Sequence, residues 1–342
     1  MKEESKSFPG SGKPFCVLRD LEGLRTPQEF VELLYSDIQS RMSLAERGIT
    51  EFSVLLGKLG GTKILDLQVP SIAPHWKKLL FALIGDLCKR NPELTIFFWD
   101  ELPLFVYNLK KVSGEESAME FLDVLRAIRQ QHSTIRMVFT GSVGLHQVIS
   151  GLRNDGYANA PTNDMQTIEV PPLDPIDGVK LAELLLEGEN LDCGSSRGQH
   201  AIHISALAGH VPYYIHGLIA KLASERVQIT TKAIDDHLAS LLTDPNDPAN
   251  FRYYRDRIRT YYPKNEQPIA LAILDNLCHA SESIAISGIL NQVRHHLTDV
   301  DEEAARDVIH LLSKDHYINR TNAGRWSFRY EIVRRWWRLE RG

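Results

Sequence analysis

Apolar and polar positions change period several times along the chain, and each change marks an element. Residues 1–14 carry charges and turn formers and read as a flexible tail, and the apolar run 15–21 is long enough for one buried strand. After a turn at 22–25, Thr26, Pro27 and Glu29 supply an N-cap, a first helical position and a capping box. Phe30, Leu33, Leu34 and Ile38 then recur at helical spacing. Residues 51–69 read as two strands, because Phe52, Val54 and Leu56 alternate before Gly60-Gly61 and the apolar run resumes at 64–69. Residues 73–90 form an amphipathic pattern that ends at Asn91-Pro92.

The most apolar strand lies at 94–99 and is followed at once by Asp100-Glu101. A helix at 115–131 and a second buried strand at 135–140 come next, the latter running into Gly141-Ser142. Strand, helix and strand in this order, with strands apolar throughout, predict an α/β fold with a parallel sheet covered on both faces. Residues 167–170 supply one more strand before Pro171-Pro172, after which nearly everything reads as helix, placing a boundary near residue 175. The turn-rich stretch 243–250, TDPNDPAN, is a second break. Three helical stretches follow at 267–278, 284–293 and 301–315. Runs at 317–319 and 325–328 bracket the turn Thr321-Asn322-Ala323-Gly324 as a hairpin. Three helices and a hairpin predict a winged helix, closed by Ile332, Val333, Trp336, Trp337 and Leu339 at helical spacing.

With 342 residues the chain is long enough for two or three domains and a real core, which excludes a small disulfide-stapled module. The net charge of −5 is uneven: residues 1–250 hold 24 basic and 32 acidic side chains, residues 251–342 hold 15 and 12. A polyanion partner would therefore meet the C-terminal part. Cys16, Cys88, Cys193 and Cys278 lie far apart without C-x-x-C spacing, which argues against a zinc site or disulfide framework and fits a reducing cytoplasm. No apolar run reaches the roughly 18 residues of a membrane span, so a soluble, cytoplasmic protein without membrane partners is expected.

In a parallel sheet, ligands bind outside the carboxyl ends of the strands, where Asp100 and Glu101 emerge. There an Asp can hold magnesium and a neighbouring Glu can orient or deprotonate water, a division of labour suited to phosphoanhydride hydrolysis. An exposed acidic turn is the plainer alternative. Thr140 and Ser142 end the next strand, where a hydroxyl can touch phosphate or water, although small polar residues also end strands for turn-forming reasons. Gly10-Ser11-Gly12-Lys13 matches half of a phosphate-cradling loop, but Pro14 follows the Lys and no strand precedes it, so a linker is favoured. Gly209-His210-Val211-Pro212 marks either a lid or a helix stop and restart. Arg153 suits a charge-stabilising finger or simple solvation, and the histidines lack metal-ligand spacing. Residues 314–342 hold eight basic and three acidic side chains, including Arg325, Arg329, Arg334 and Arg335, interleaved with aromatics. That composition suits phosphate contact by the winged helix, while core packing of the tryptophans and protein contact are the competing readings.

Taken together, FCVLRDLEG (15–23), TIFFWDELP (95–103), RMVFTGSVGLHQV (136–148), YANAPTNDM (157–165), GHVPYY (209–214) and SFRYEIVRRWWR (327–338) resemble prokaryotic P-loop ATPases of the AAA and STAND type, akin to archaeal origin-recognition ATPases. The resemblance implies a P-loop core over 15–175, a helical lid over 176–250 and a winged-helix domain over 251–342. It also implies ATP and Mg2+ at the strand ends, with Asp100 as the Walker B residue, Glu101 as the catalytic glutamate and Thr140 or Ser142 at the sensor position. Gly209 and Pro212 would form the lid motif, and a nucleotide-dependent oligomer is a further implication. One departure matters. FCVLRDLEG matches the second core strand, so the first strand and the complete phosphate loop belong upstream of Phe15, where this sequence lacks them. Either the chain is a shortened product of a longer protein or it is a degenerate member. Two functions are therefore expected: an ATP-dependent switch coupled to the winged helix, or a non-enzymatic adaptor that binds DNA or protein through that winged helix.

Overall fold

A computed structural model describes residues 14–41, 54–55, 75–90, 94–225, 228–297 and 300–342. The chain divides into two compact units, Met1–Thr167 and Ile168–Gly342. The first unit is built on β1 (Phe15–Asp20), β2 (Thr95–Asp100) and β3 (Ile135–Phe139), in the order β1-β2-β3. Both pairings are parallel, with Phe15 opposite Thr95, Asp20 opposite Asp100, and Trp99 opposite Phe139. Helices α1 (Pro27–Arg41), α2 (Trp76–Arg90), α3 (Leu102–Ser113), α4 (Glu115–Gln131) and α5 (Leu145–Asn154) complete it.

Local chemistry sets several of these boundaries. Thr26 Oγ1 accepts from the Glu29 N–H at 3.3 Å while Glu29 Oε2 accepts from the Thr26 N–H at 3.0 Å, the reciprocal capping box that starts α1. Gly114, at φ 88°, ends α3 and precedes α4, an angle that a residue with a Cβ adopts only under strain. Behind the sheet, Phe30, Trp99, Phe105 and Phe121 are buried against one another, with edge-on ring centroids 5.0–5.1 Å apart, the favoured geometry for aromatic pairs. Arg129 straps the segment after α5 onto this layer. Its guanidinium, with the side chain only 9% exposed, donates to both carboxylate oxygens of Asp164 at 2.8 and 2.9 Å and to the Pro161 carbonyl at 2.6 Å, and it lies over the Phe139 ring.

Several stretches differ from the expected pattern or lie outside the described residues. Residues 167–170 are extended but pair with no strand, and Ile168 and Val170 are 78% and 83% exposed. Their alternating pattern suits a strand, yet a strand exists only beside a partner, and among the described residues none accompanies it. Of the two strands expected over 51–69, only Val54 and Leu55 are among the described residues, and they are helical. The half phosphate loop at Gly10–Lys13 lies outside the described residues. An element that the pattern did not predict, α3, fills the stretch between Glu101 and Glu115, its Phe105, Val106 and Leu109 buried.

The second unit is helical: α6 (Pro175–Gly188), α7 (Arg197–Leu207), α8 (Pro212–Glu225), α9 (Thr231–Thr243) and α10 (Arg252–Tyr261). Then come α11 (Gln267–His279), α12 (Ile286–His296) and α13 (Glu302–Lys314), an antiparallel hairpin of β4 (Ile318–Arg320) and β5 (Trp326–Phe328), and α14 (Glu331–Arg341). One apolar core runs from Ala182 to Trp337, joined across the 243–250 break by the stacked rings of Tyr214, Phe251 and Trp336. That break is a cap: the Asp247 carboxylate accepts from the Phe251 and Arg252 N–H groups, both at 2.8 Å, at the start of α10. On α14, Ile332, Val333, Trp336 and Trp337 are buried and Leu339 is exposed. No helix among the described residues is long and apolar enough to cross a membrane.

Two side chains in this framework yield tests. Arg129 holds the Asp164 carboxyl below the usual carboxylate range, chiefly by its hydrogen bonds. Asp164 therefore stabilises the fold above the ordinary carboxyl pKa of about 3.9, and its contribution disappears as pH falls through the lowered native value. Asp164→Asn is expected to cost about 1–2 kcal/mol at pH 7, with the difference from wild type closing below about pH 4, in denaturant melts across pH. Arg334 donates to the Cys278 and Ala280 carbonyls at 3.3 and 3.0 Å, closing the C-terminal end of α11. Arg334→Ala should lower the stability of the second unit by about 1–2 kcal/mol in the same measurement.

Candidate functional site

All three strands of the first unit point the same way, so their carboxyl ends form one rim. Asp100 is the last residue of β2, the middle strand, and stands opposite Asp20, the last residue of β1. The ladder continues past both: the Leu21 N–H donates to the Asp100 carbonyl at 2.9 Å, and the Thr140 N–H donates to the Trp99 carbonyl at 3.1 Å. This fixes Thr140 directly beside Asp100. The Thr140 hydroxyl donates to Asp100 Oδ1 at 2.6 Å, an oxygen that also accepts from the Glu101 N–H at 3.1 Å.

Glu101 turns the chain from β2 into α3. Its φ of 55° lies in the left-handed region, uncommon for a residue with a side chain, and such strain persists where the surroundings enforce it. The turn sends the two neighbouring carboxylates to different partners. Asp100 meets Thr140, while Glu101 accepts from the Ser142 N–H through Oε1 and from the Ser142 hydroxyl through Oε2, both at 2.9 Å. Gly141 lies between these two contacts. A Cβ there would stand 2.8 Å from Pro103 Cδ and 3.3 Å from Glu101 Oε2, so only glycine lets the loop approach the first turn of α3 this closely. Pro103 suits that turn, where its missing N–H goes unneeded.

Asp100, Glu101, Thr140 and Ser142, four residues singled out in the sequence, thus converge in one exposed cluster of carboxylates and hydroxyls. Asp20 joins the same rim but was missed. Its signal was present, since FCVLRD and TIFFWD both end an apolar strand on Asp, yet only the register aligns the two. The Asp20 carboxylate accepts from the Glu22 N–H at 2.8 Å, closing the turn into α1. The oxygen-rich donor set suits Mg2+, which keeps water ligands and is held by one or two carboxylates together with substrate phosphates. No cluster of three or more His, Cys, Asp or Glu side chains among the described residues forms a ready-made metal cage. A glycine-rich phosphate cradle is likewise absent at this rim among the described residues.

Arg153 is exposed in the last turn of α5 in the first unit, and the remaining predicted residues belong to the second unit. Gly209, at φ 61°, ends α7, and Pro212 opens α8. His210 between them, also at positive φ, lies 2.9 Å from the buried Ser205 hydroxyl through Nδ1. This pair packs against Gly178, where a Cβ would come within 2.6 Å of Ser205 Oγ. The four arginines divide. Arg334 caps α11, and Arg329 pairs with Glu169 at 2.5 Å. Arg325 is exposed on the hairpin and donates to the Ser283 carbonyl at 2.7 Å, and Arg335 is half-buried on α14. The outer face of α13 exposes Glu303 and Asp307 in its first half and Lys314 at its end.

No protein-family model and no curated protein matches the sequence. Among the solved structures similar in fold are two that align over nearly the whole chain. A Walker-type ATPase of Pyrococcus abyssi, PABY2304, aligns over 95% of this chain and 84% of its own, with 16% identity and a TM-score of 0.61. The Aeropyrum pernix ORC2 protein, solved with ADPNP and ADP, aligns over 99% of this chain and 82% of its own, with 10% identity and a TM-score of 0.53. Identities this low speak to architecture alone, and the architecture that the parallel rim and the helical unit share is that of these ATPases.

Proposed function

We propose that this protein is an ATP-binding molecular switch of the AAA and STAND type, in which nucleotide state is coupled through a helical lid (176–250) to a C-terminal winged helix (251–342). The observation that carries the reading is the split engagement of adjacent carboxylates at the parallel rim, Asp100 with Thr140 and Glu101 with Ser142. In this reading Asp100 is the Mg2+ ligand, and the metal when bound neutralises charge on the phosphates. Thr140 orients Asp100 through its hydroxyl, which donates to Oδ1. Glu101 orients or deprotonates the attacking water once its carboxylate leaves Ser142, because a carboxylate with a donor on each oxygen is a poorer base. Gly209 and Pro212 serve the lid. A nucleotide-dependent oligomer and a cytoplasmic location complete the reading.

The second reading is an adaptor that binds DNA or protein through the winged helix without hydrolysis. The exposed Glu303 and Asp307 make the first half of α13 a poor partner for phosphates, with Lys314 at its far end. Contact with a polyanion would fall instead to the hairpin residues Arg320 and Arg325 and to Arg335 and Arg338 on α14, because Arg329 and Arg334 are engaged within the fold.

Binding of a fluorescent ATP analogue, with and without Mg2+, separates the two. For the switch, Asp100→Ala should abolish the Mg2+-dependent part of binding. Glu101→Gln should retain binding and lower hydrolysis by about 100-fold or more, the usual worth of a general base. Nucleotide binding that is absent, or indifferent to Mg2+ and to Asp100, would leave the adaptor. For a DNA partner, Arg335→Ala should weaken binding and flatten its dependence on salt by about one unit of slope, without lowering the melting temperature. Salt-independent association would point to a protein partner.

A further inference from the structure

The chain enters the helical unit through an extended stretch that follows Thr167, and its composition does little to hold it down. Ile168 and Val170 point their β-branched side chains into solvent, Pro171 and Pro172 lack N–H groups, and no ladder pairs the backbone. Among the described residues, one side chain attaches this stretch to the rest of the unit. The Glu169 carboxylate accepts from Arg329 Nη1 at 2.5 Å and lies 4.0 Å from His316 Nδ1. The next attachment is the Leu173 N–H, which donates to the His210 carbonyl at 3.0 Å in the α7–α8 turn.

Arg329 is oriented for this contact by its own neighbours. It follows β5 directly, its N–H donates to the Tyr317 carbonyl at 2.9 Å, and its Nε donates to the Tyr330 hydroxyl at 3.1 Å. Nη1 stands 2.9 Å from His316 Nδ1, and the guanidinium carbon lies 5.5 Å from the Tyr330 ring centroid. The Arg329 side chain is 15% exposed, so most of its hydration has already been given up before Glu169 arrives. A preorganised, partly desolvated guanidinium is a stronger donor to a carboxylate than a freely rotating surface arginine. The Glu169 carboxyl is accordingly held below its ordinary range by the hydrogen bond and charge of Arg329.

We propose that Glu169 and Arg329 form a latch that fastens the start of the helical unit to the base of the C-terminal hairpin, and that opening this one ion pair releases residues 168–172. The contact joins positions far apart in sequence while leaving the hairpin's own bonds intact, so the latch opens without unfolding the hairpin. Whatever displaces Glu169 from Arg329 thereby changes how the chain enters this unit. This inference stands independently of nucleotide binding.

Thermolysin cleavage of the full-length protein tests it, because the protease cuts before exposed Ile and Val once a segment lifts into its cleft, and cutting tracks the open population. Arg329→Ala, which leaves the cleaved sequence unchanged, and Glu169→Ala should each raise the initial rate of cleavage before Ile168 by about fivefold, as expected for loss of a surface-accessible ion pair. The exchanged pair Glu169→Arg with Arg329→Glu should return the rate towards wild type. Hydrogen exchange at the Leu173 amide should quicken in Glu169→Ala as well, a readout that does not require the exchanged protein to fold. Unchanged cleavage and unchanged Leu173 exchange in Glu169→Ala would overturn the latch. So would failure of a normally melting exchanged protein to restore the rate.

Discussion

The first unit depends on β2 having one face buried along its length and its end wet. Phe97 and Trp99 are nearly inaccessible, and Trp99 stacks on Phe97 and Phe139 and meets Phe30 edge-on. Such a strand cannot shift by one residue without sending these rings to the opposite face of the sheet, so its register is strongly determined. Asp100 inherits that precision. A carboxylate at the tip of an unmovable strand is a fixed point, and the left-handed turn at Glu101 divides two adjacent acids between two loop hydroxyls.

The constraint extends into the loop after β3. Thr140 is located by the backbone ladder, Ser142 by Glu101, and Gly141 by the proximity of Pro103, so three consecutive residues each answer to a different neighbour. Movement of this loop must therefore move both carboxylates' partners together. That coupling gives a local change at the rim a mechanical consequence, because α5 begins only a few residues beyond Ser142.

The helical unit is organised on a different principle, a single apolar core closed by charged side chains at its margins. Asp275 accepts from the Trp337 indole N–H at 2.8 Å and from Arg341 at 2.7 and 2.8 Å, fastening the last helix to α11. Buried Asp315 accepts from the Tyr262 hydroxyl at 2.7 Å, joining the loop after α10 to the end of α13. Several basic residues that look like a polyanion surface in the sequence are in fact engaged in such closures. Charge counted along a sequence overstates the charge a partner would meet.

Local chemistry was legible without coordinates. The capping box at Thr26 and Glu29, the helices at 115–131 and 267–279, the hairpin and its turn, and the burial of Trp336 and Trp337 follow from side-chain period and backbone preference, which act over a few neighbouring residues. So did the presence of Asp100 and Glu101 at a strand end. The helix at 102–113 was legible in principle, from Pro103 and the spacing of Phe105, Val106 and Leu109, but stood in the shadow of the acidic pair. The tertiary structure alone decided the rest. It aligned Asp20 with Asp100, matched each rim carboxylate to its hydroxyl, left 167–170 without a partner strand, and assigned Arg329 and Arg334 to the fold. Each of these is a choice among partners distant in sequence, settled by the packing of whole elements, and neither periodicity nor propensity carries that information.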